Sequence, residues 1–148
     1  MPLSSTYTKK FIIPKSSIDE NGHVNNVAYV QWMQDIAVEH YSSIGGVAAQ
    51  GPDATWVVRE HKIEYLLPAF AGEEIEVCTW IENIRRVRSL RKYEFVRKSD
   101  GKVLVKGETD WVFVDVKTGS PRAIPEEVAK VFTPSALSGA SPKSTLAL

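Results

Sequence analysis

The stretch NNVAYVQWMQDIAVEHYSSIGG, residues 25–46, decides the fold. Its apolar side chains recur at steps of three and four residues, which is the spacing of one face of an α-helix. The main stripe consists of Val30, Met33, Ala37, Tyr41 and Ile44, and a second stripe beside it of Tyr29, Trp32 and Ile36. Together they make an apolar face wider than a helix on a protein surface needs. The sequence therefore predicts a long helix over residues 26–44 that other elements cover.

Outside this stretch, apolar and polar residues alternate with the two-residue period of β-strands. A first strand is predicted before the helix, and four more follow it in hairpin succession. The strands are expected at about 6–13, 57–65, 74–81, 87–98 and 103–116, with a short helix at 124–132. One long helix against a five-stranded, largely antiparallel sheet is an α+β architecture. We expect one domain over residues 1–132 and a flexible tail over 133–148.

Alternation also assigns side chains to strand faces. It places Val57 and His61 on the same face of the second strand, where His61 either borders a pocket or packs in the core. Gly107, inside the last strand, predicts a bulge or a bend. His40 falls late in the long helix, where we expect a surface position or a role at the helix end.

Composition excludes several classes of function. The 148 residues carry 18 basic and 18 acidic side chains, and this balance argues against a nucleic-acid-binding surface. The single cysteine, Cys78, allows no intrachain disulfide and fits a reducing compartment, so we predict a cytoplasmic protein. No run of 18 apolar residues and no signal peptide is present, so no membrane association is expected. The three histidines lack metal-ligand spacing, and neither a metal nor another cofactor is predicted.

The loop before the helix, IDENGHVNN at residues 18–26, combines an acid, an amide and an imidazole: Asp19, Asn21 and His23. It leads into a helix N-terminus, whose unpaired backbone N–H groups can stabilise an oxyanion. Asp19 could then act as a nucleophile or as a general base toward water. The alternative is an ordinary turn, in which Asn25 or Asn26 only caps the helix.

A group of basic residues stands out against the neutral total. Arg85, Arg86, Arg88, Arg91 and Lys92 fall within eight residues on a predicted hairpin. Alternation places Arg91 on the same strand face as Ser89 and Tyr93. Such a patch can hold the phosphates of a nucleotide-bearing substrate. The alternative is a solvated strand face whose charges pair with glutamates of the neighbouring strand.

The run Asp19-x-Asn21-x-His23-Val24-Asn25-Asn26-Val27-x-Tyr29 resembles the active-site loop of hotdog-fold acyl thioesterases. It is similar to the 4-hydroxybenzoyl-CoA thioesterase group and to the plant acyl-ACP thioesterases. Further likeness comes from Ile63-Glu64-Tyr65, with Pro68 and Gly72 following, and from the closing segment between Asp115 and Pro125. The resemblance spans roughly residues 6–132.

This resemblance implies a hotdog fold, in which the sheet wraps the long helix, and a dimer whose active sites lie between the two chains. It implies that Asp19 is the catalytic acid and that a backbone N–H near Asn26 binds the oxyanion. The amide and imidazole of the plant enzymes correspond to Asn21 and His23. A further glutamate of the plant enzymes falls near Pro68, so the chain departs from the plant-type mechanism.

The predicted function is therefore that of an acyl-CoA thioesterase, which hydrolyses a thioester to a carboxylic acid and coenzyme A, in a homodimer or homotetramer. The predicted substrate contacts are Tyr29, Trp32, Val57 and His61 for the acyl group, and Arg88 and Arg91 for the phosphates. Two alternatives stay open: a thioesterase acting on acyl carrier protein, and a domain that binds acyl-CoA without hydrolysing it. The identity of the acyl group is not predicted.

Overall fold

A computed structural model describes residues 3–133 of the chain. In chain order its elements are β1 (Tyr7–Ile12), α1 (Asn26–Ser43), α2 (Gly46–Gln50), β2 (Ala54–Tyr65), β3 (Glu74–Ile84), β4 (Arg88–Arg97), β5 (Val103–Asp115) and α3 (Glu126–Phe132). The predicted α+β class, with a long first helix and five strands, is confirmed. The predicted flexible tail lies outside the described residues apart from Thr133. No helix within residues 3–133 is long and apolar enough to cross a membrane.

The five strands form one antiparallel sheet in the order β1-β3-β4-β5-β2. The hairpins β3–β4 and β4–β5 agree with the predicted succession. The prediction that β2 also pairs with β3 is wrong, because β2 lies at the far edge of the sheet, beside β5. The two strands that flank α1 in the sequence therefore form the two edges of the sheet.

The helix α1 lies against the inner face of this sheet. Its Met33 is fully buried over Gly107 of β5, and a Cβ atom added there would lie 2.9 Å from the Met33 Sδ atom. Of the bulge or bend predicted at Gly107, the bulge is wrong, since the register with β4 shifts elsewhere, between Phe95 and Val96. At Gly107 the Met33 side chain packs directly on the strand backbone, a position for which a residue without a side chain is suited.

A bulge in β2 changes which side chains face the core. The register against β5 shifts between Val58 and Glu60. Trp56 and Ile63 consequently both pack against core side chains, although their positions differ by an odd number, which in a regular strand would place them on opposite faces. The prediction that Val57 and His61 share a face is wrong for this reason. Val57 lies on the outer side of the bulged strand, with 44% of its surface exposed.

Candidate active site

The loop between β1 and α1 is held by backbone hydrogen bonds at both ends. A 3₁₀ turn spans Lys15–Ser17, and Ile18 then pairs with Val24 in an isolated antiparallel bridge. Between them the chain reverses: the Gly22 N–H donates to the Asp19 carbonyl at 3.0 Å, and Gly22 has a φ of 83°. A left-handed backbone of this kind favours glycine. We call residues 18–26 the acid loop.

The Asp19 carboxylate stabilises this turn while staying partly accessible. Its Oδ1 accepts a hydrogen bond from the Asn21 backbone N–H at 2.9 Å, which is the geometry of an Asx turn. Its Oδ2 has no hydrogen-bond donor among the described residues. The ordinary turn expected as the alternative is therefore present, and it leaves one carboxylate oxygen available for chemistry.

The start of α1 follows the acid loop directly. Asn25 caps the helix, because its Oδ1 accepts from the Val27 N–H at 2.8 Å. The Asn26 N–H, one position earlier, has no acceptor within residues 3–133. The Asn26 carbonyl accepts from the Tyr65 hydroxyl at 3.1 Å, so the end of β2 positions the first helical residue. An unpaired N–H at the positive end of a helix can bind an oxyanion.

Asn21 and His23 lie in the same loop, but their side chains make no hydrogen bond to Asp19. Asn21 is exposed, and it is its backbone N–H that meets the carboxylate. The His23 imidazole is partly buried and stands edge-on to the Phe70 ring, with ring centroids 6.5 Å apart. The structure thus brings the three predicted groups into one loop without linking them into a relay.

Apolar side chains surround the acid loop on the protein surface. The Val24 N–H donates to the Ala69 carbonyl at 2.9 Å, which ties the acid loop to the segment after β2. The exposed apolar residues of this surface are Val27, Tyr65, Leu66, Leu67 and Phe70. A contiguous apolar surface next to an acid is suited to an apolar ligand or to a partner chain.

Tyr29 is buried in the core, and Trp32 is partly buried against it. The Tyr29 ring stands edge-on to Phe95 at 5.1 Å, and burial raises the pKa of its hydroxyl to about 12. The Trp32 ring packs edge-on against Phe11 of β1 at 4.9 Å. Neither side chain lines the cavity beneath the C-terminal half of α1 or the one between β2, β3, β4 and β5. Their predicted acyl-binding role is thus unsupported in the single chain.

His61 is a packed, hydrogen-bonded histidine, which was one of its two predicted roles. Its Nδ1 lies 2.8 Å from the Thr109 hydroxyl on β5. Burial lowers the pKa of the imidazole below its usual value.

Arg88 remains partly exposed, but it is engaged in an ion pair. Its guanidinium binds both oxygens of Asp110, with an Nε–Oδ1 distance of 3.2 Å, and Arg59 binds the same carboxylate at 3.1 Å. Burial alone would raise the pKa of Asp110, but the two arginines outweigh it and hold this pKa below its usual value. About half of the Arg88 side chain, 47%, stays accessible.

The prediction that Arg91 contacts phosphates at the surface is wrong. Arg91 is only 2% exposed, because it lies on the inner face of β4 together with Ser89 and Tyr93. The same structure corrects the expected surface position of His40, which is also 2% exposed. Arg91 Nη1 lies 2.9 Å from His40 Nδ1, so the two side chains meet beneath α1.

Burial dominates the electrostatics of this pair. It lowers the pKa of His40 to about 4, with a smaller contribution from the charge of Arg91, so the imidazole is neutral at pH 7. It also lowers the pKa of Arg91 to about 10, which leaves the guanidinium charged at pH 7. Sequence reasoning missed this cluster, although the alternation of Arg91 with Ser89 and Tyr93 was the signal that could have revealed it.

Comparison with known proteins places this geometry in a family. The family profile of the thioesterase-like superfamily matches residues 13–132. A Caenorhabditis elegans protein named as an esterase, F42H10.6, is 25% identical over 100 residues, which are 68% of this chain. The chain spans 59% of the length of that relative.

Two solved structures illustrate the likeness in fold. The first is Slr0204, a 1,4-dihydroxy-2-naphthoyl-CoA thioesterase from Synechocystis, with a TM-score of 0.76 and 17% identity over 86% of this chain and 96% of that one. The second is an acyl-ACP thioesterase from Bacteroides thetaiotaomicron, with a TM-score of 0.77 and 22% identity over 88% of this chain and 54% of that one. At these identities the likeness establishes the fold, and the predicted hotdog fold is confirmed.

Proposed function

The chain belongs to the thioesterase-like superfamily, and from that premise we propose that it hydrolyses an acyl-CoA thioester to a carboxylic acid and coenzyme A. One observation carries the proposal: the Asp19 carboxylate lies in the loop that ends at the Asn26 N–H, and neither Asp19 Oδ2 nor this N–H has a hydrogen-bond partner within residues 3–133. Acyl transfer needs a nucleophile or base and a donor for the developing oxyanion, and the acid loop supplies both.

The proposed reaction begins when the thioester carbonyl oxygen accepts a hydrogen bond from the Asn26 N–H. In one route the Asp19 Oδ2 attacks the carbonyl carbon, the coenzyme A thiolate leaves, and water then hydrolyses the acyl-aspartyl anhydride. In the other route Asp19 takes a proton from a water that attacks the same carbon, and the proton passes to the leaving sulfur. Asn21 and His23 are proposed to orient the acyl group or the water.

Coenzyme A is the proposed carrier, and acyl carrier protein is the second candidate. Arg88 supports the first, because its half-exposed guanidinium and the exposed Arg85 and Arg86 form a basic surface beside β4. The similar Synechocystis protein acts on a CoA thioester, whereas the similar Bacteroides protein is an acyl-ACP thioesterase. An acidic carrier protein could dock on the same arginines, and turnover of the same acyl group on both carriers distinguishes the two.

A homodimer or homotetramer is part of the proposal. The strand β2 is a 12-residue edge strand whose outer side has no partner strand within residues 3–133. Exposed Val57 lies on this strand, and the apolar surface around the acid loop adjoins its end. Unpaired strand edges and exposed apolar surface both favour association with a second copy. The cytoplasmic location stays a prediction, supported by the free thiol of Cys78.

Turnover of a graded panel of thioesters tests the proposal. Aromatic and aliphatic acyl-CoAs, and the same acyl groups on acyl carrier protein, are incubated with the purified chain, and free thiol is measured. We expect free thiol to be released from the acyl-CoA series. We also expect light scattering to give the protein a molar mass at least twice that of one chain. Faster release from acyl carrier protein would favour the second carrier. Binding of every thioester without any thiol release would instead favour the non-catalytic acyl-binding alternative.

A further inference from the structure

A cavity lies beneath the C-terminal half of α1, at the opposite end of the helix from the acid loop. It has a volume of about 230 Å³ and is bounded by α1, α2, the inner face of the sheet and Phe132 of α3. Val38 and Val47 are both 59% exposed and lie at its mouth. From Asn26 to Tyr41 the helix rises roughly 22 Å at 1.5 Å per residue, so this cavity is separate from Asp19 within one chain.

Arg91 lines the cavity, and only one of its three guanidinium nitrogens makes a hydrogen bond within residues 3–133. Its Nη1 lies 2.9 Å from His40 Nδ1 and 3.0 Å from the Thr79 hydroxyl. Its Nε and Nη2 groups have no acceptor among residues 3–133, and no carboxylate in that range pairs with it. A buried guanidinium without a counter-ion destabilises the folded chain, because the loss of its hydration is not offset by an opposite charge.

Three further donors of the cavity wall also lack hydrogen-bond partners within residues 3–133. The Ser89 hydroxyl is buried without a hydrogen bond to any described residue. The indole N–H groups of Trp56 and Trp111 are likewise buried without an acceptor in hydrogen-bond geometry. The Gln50 side-chain oxygen, an acceptor on the same wall, is taken by the Tyr41 hydroxyl at 2.9 Å. The cavity therefore offers positive charge and free donors, and none of the side chains that line it in the described chain is an acid.

The rest of the wall is apolar and limits the size of an occupant. Ala37, Val38, Val47, Ile81 and Phe132 supply most of this surface. A cavity of about 150 Å³ is known to hold benzene, so a volume of about 230 Å³ fits one ring or a short chain with a polar head group.

We propose that this cavity binds a small apolar carboxylate, whose carboxylate pairs with Arg91 and whose body fills the space under α1. The guanidinium supplies the two parallel N–H groups that a carboxylate accepts, and Ser89 supplies a further donor. Neutral His40 accepts a hydrogen bond from Arg91 Nη1 and carries no charge that would attract the anion away from the guanidinium. This inference does not depend on hydrolysis at Asp19, since it concerns binding in a different part of the chain.

Calorimetric titration with benzoate, and with its neutral counterpart benzamide, tests the proposal on the full chain. We expect benzoate to bind at least tenfold more tightly than benzamide, and Arg91→Met to reduce this difference to less than twofold. Equal affinities for the two compounds, or no benzoate binding by the folded wild-type chain, would overturn the proposal.

A second variant guards against a folding defect in Arg91→Met. Val47→Trp places a large ring at the cavity mouth, on an exposed position of α2, and should abolish benzoate binding while Arg91 stays in place. Val116→Trp is the matched control, because Val116 is similarly exposed but does not line the cavity. Binding that survives Val47→Trp would overturn the proposal, as would binding that is lost in Asp19→Asn, which would place the ligand at the acid loop.

Two sources of such a carboxylate can be told apart by kinetics. One is a free carboxylic acid, and the other is the distal carboxylate of an acyl group that is still joined to its carrier. If the acyl group is the source, Val47→Trp raises KM for a carboxylate-tipped acyl-CoA and leaves KM for an uncharged acyl-CoA unchanged. If the free acid is the source, both KM values stay unchanged while benzoate binding is lost.

Discussion

The two ends of α1 carry chemically opposite sites. At the N-terminal end, an acid and backbone donors lie at the surface, and the side-chain hydrogen bonds of Asp19 and Asn25 each reach only two residues along the chain. At the C-terminal end, Arg91 and His40 are both 2% exposed, and 51 residues separate them in the sequence. The turn and the helix cap of the first site are encoded by a short motif, with added hydrogen bonds to Ala69 and from Tyr65. The second site exists only once the sheet has formed beneath the helix.

The largest expected effect tests whether catalysis belongs to the N-terminal end alone. Asp19→Asn removes the charge but keeps an Oδ1 atom that can accept from the Asn21 N–H, so the turn should survive. We expect kcat for an acyl-CoA to fall by about 10²–10³, the range measured when one group that stabilises an acyl-transfer transition state is lost. Thiol release at saturating substrate measures this, and thermal unfolding should be unchanged.

Asp100→Asn is the matched control for this variant. Asp100 also accepts a hydrogen bond from the backbone N–H two residues on, that of Lys102, at 3.1 Å, but it lies in the β4–β5 hairpin. Its kcat should stay within about twofold of the wild type. Near-normal turnover in Asp19→Asn with the fold intact would remove Asp19 from the proposed mechanism.

The next effect concerns the pH response of the C-terminal end. Because the pKa of His40 falls from 6.5 to about 4 on folding, its contribution to stability is fully present above pH 6.5 and is lost as the pH drops toward 4. The size of this loss is about 3 kcal/mol, at 1.36 kcal/mol per pKa unit. Urea denaturation at pH 7, 6, 5 and 4 measures it.

His40→Gln should flatten this pH dependence, since glutamine does not titrate. An equal slope in wild type and His40→Gln would show that His40 is not the group that destabilises the fold in acid.

The smallest effect separates the cap of α1 from the catalytic acid. Asn25→Ala removes the acceptor for the Val27 N–H and should lower the free energy of unfolding by about 1 kcal/mol. It should also lower kcat several-fold, because the first turn of the helix holds the proposed oxyanion donor. Asn25→Ser, which restores an acceptor, should recover both quantities in denaturation and thiol-release measurements. If Asn25→Ala loses stability at unchanged kcat, the helix start is not part of the site.

The features that could be predicted are those set by neighbours in the sequence. The helix was expected over residues 26–44 and spans Asn26–Ser43, because its apolar spacing and flanking asparagine and glycines are local signals. The acid loop was likewise identified from its own residues. The alternation of β4 was also right, since Ser89, Arg91 and Tyr93 do share a face.

The features that could not be predicted depend on contacts across the fold. Alternation groups Arg91 with Ser89 and Tyr93 but does not indicate that α1 covers that face. The burial of the Arg91 guanidinium therefore cannot be predicted from the strand alone. The bulge beside Arg59 reversed the side on which Val57 lies. The position of β2 beside β5 follows from long-range pairing, about which alternation within a strand carries no information.

The strand order also determines the sequence of events in folding. Tyr7 of β1 pairs with Thr79, and Tyr65 of β2 pairs with Val105. The pairing partners of both edge strands are therefore synthesised well after the edge strands themselves. Only the meander from β3 to β5 joins segments that are adjacent in the chain. We expect this meander to form first, and the closure of β1, α1 and β2 around it to set the folding rate, since long-range pairing is slow. During synthesis, the apolar face of α1 emerges from the ribosome before the surface that will cover it.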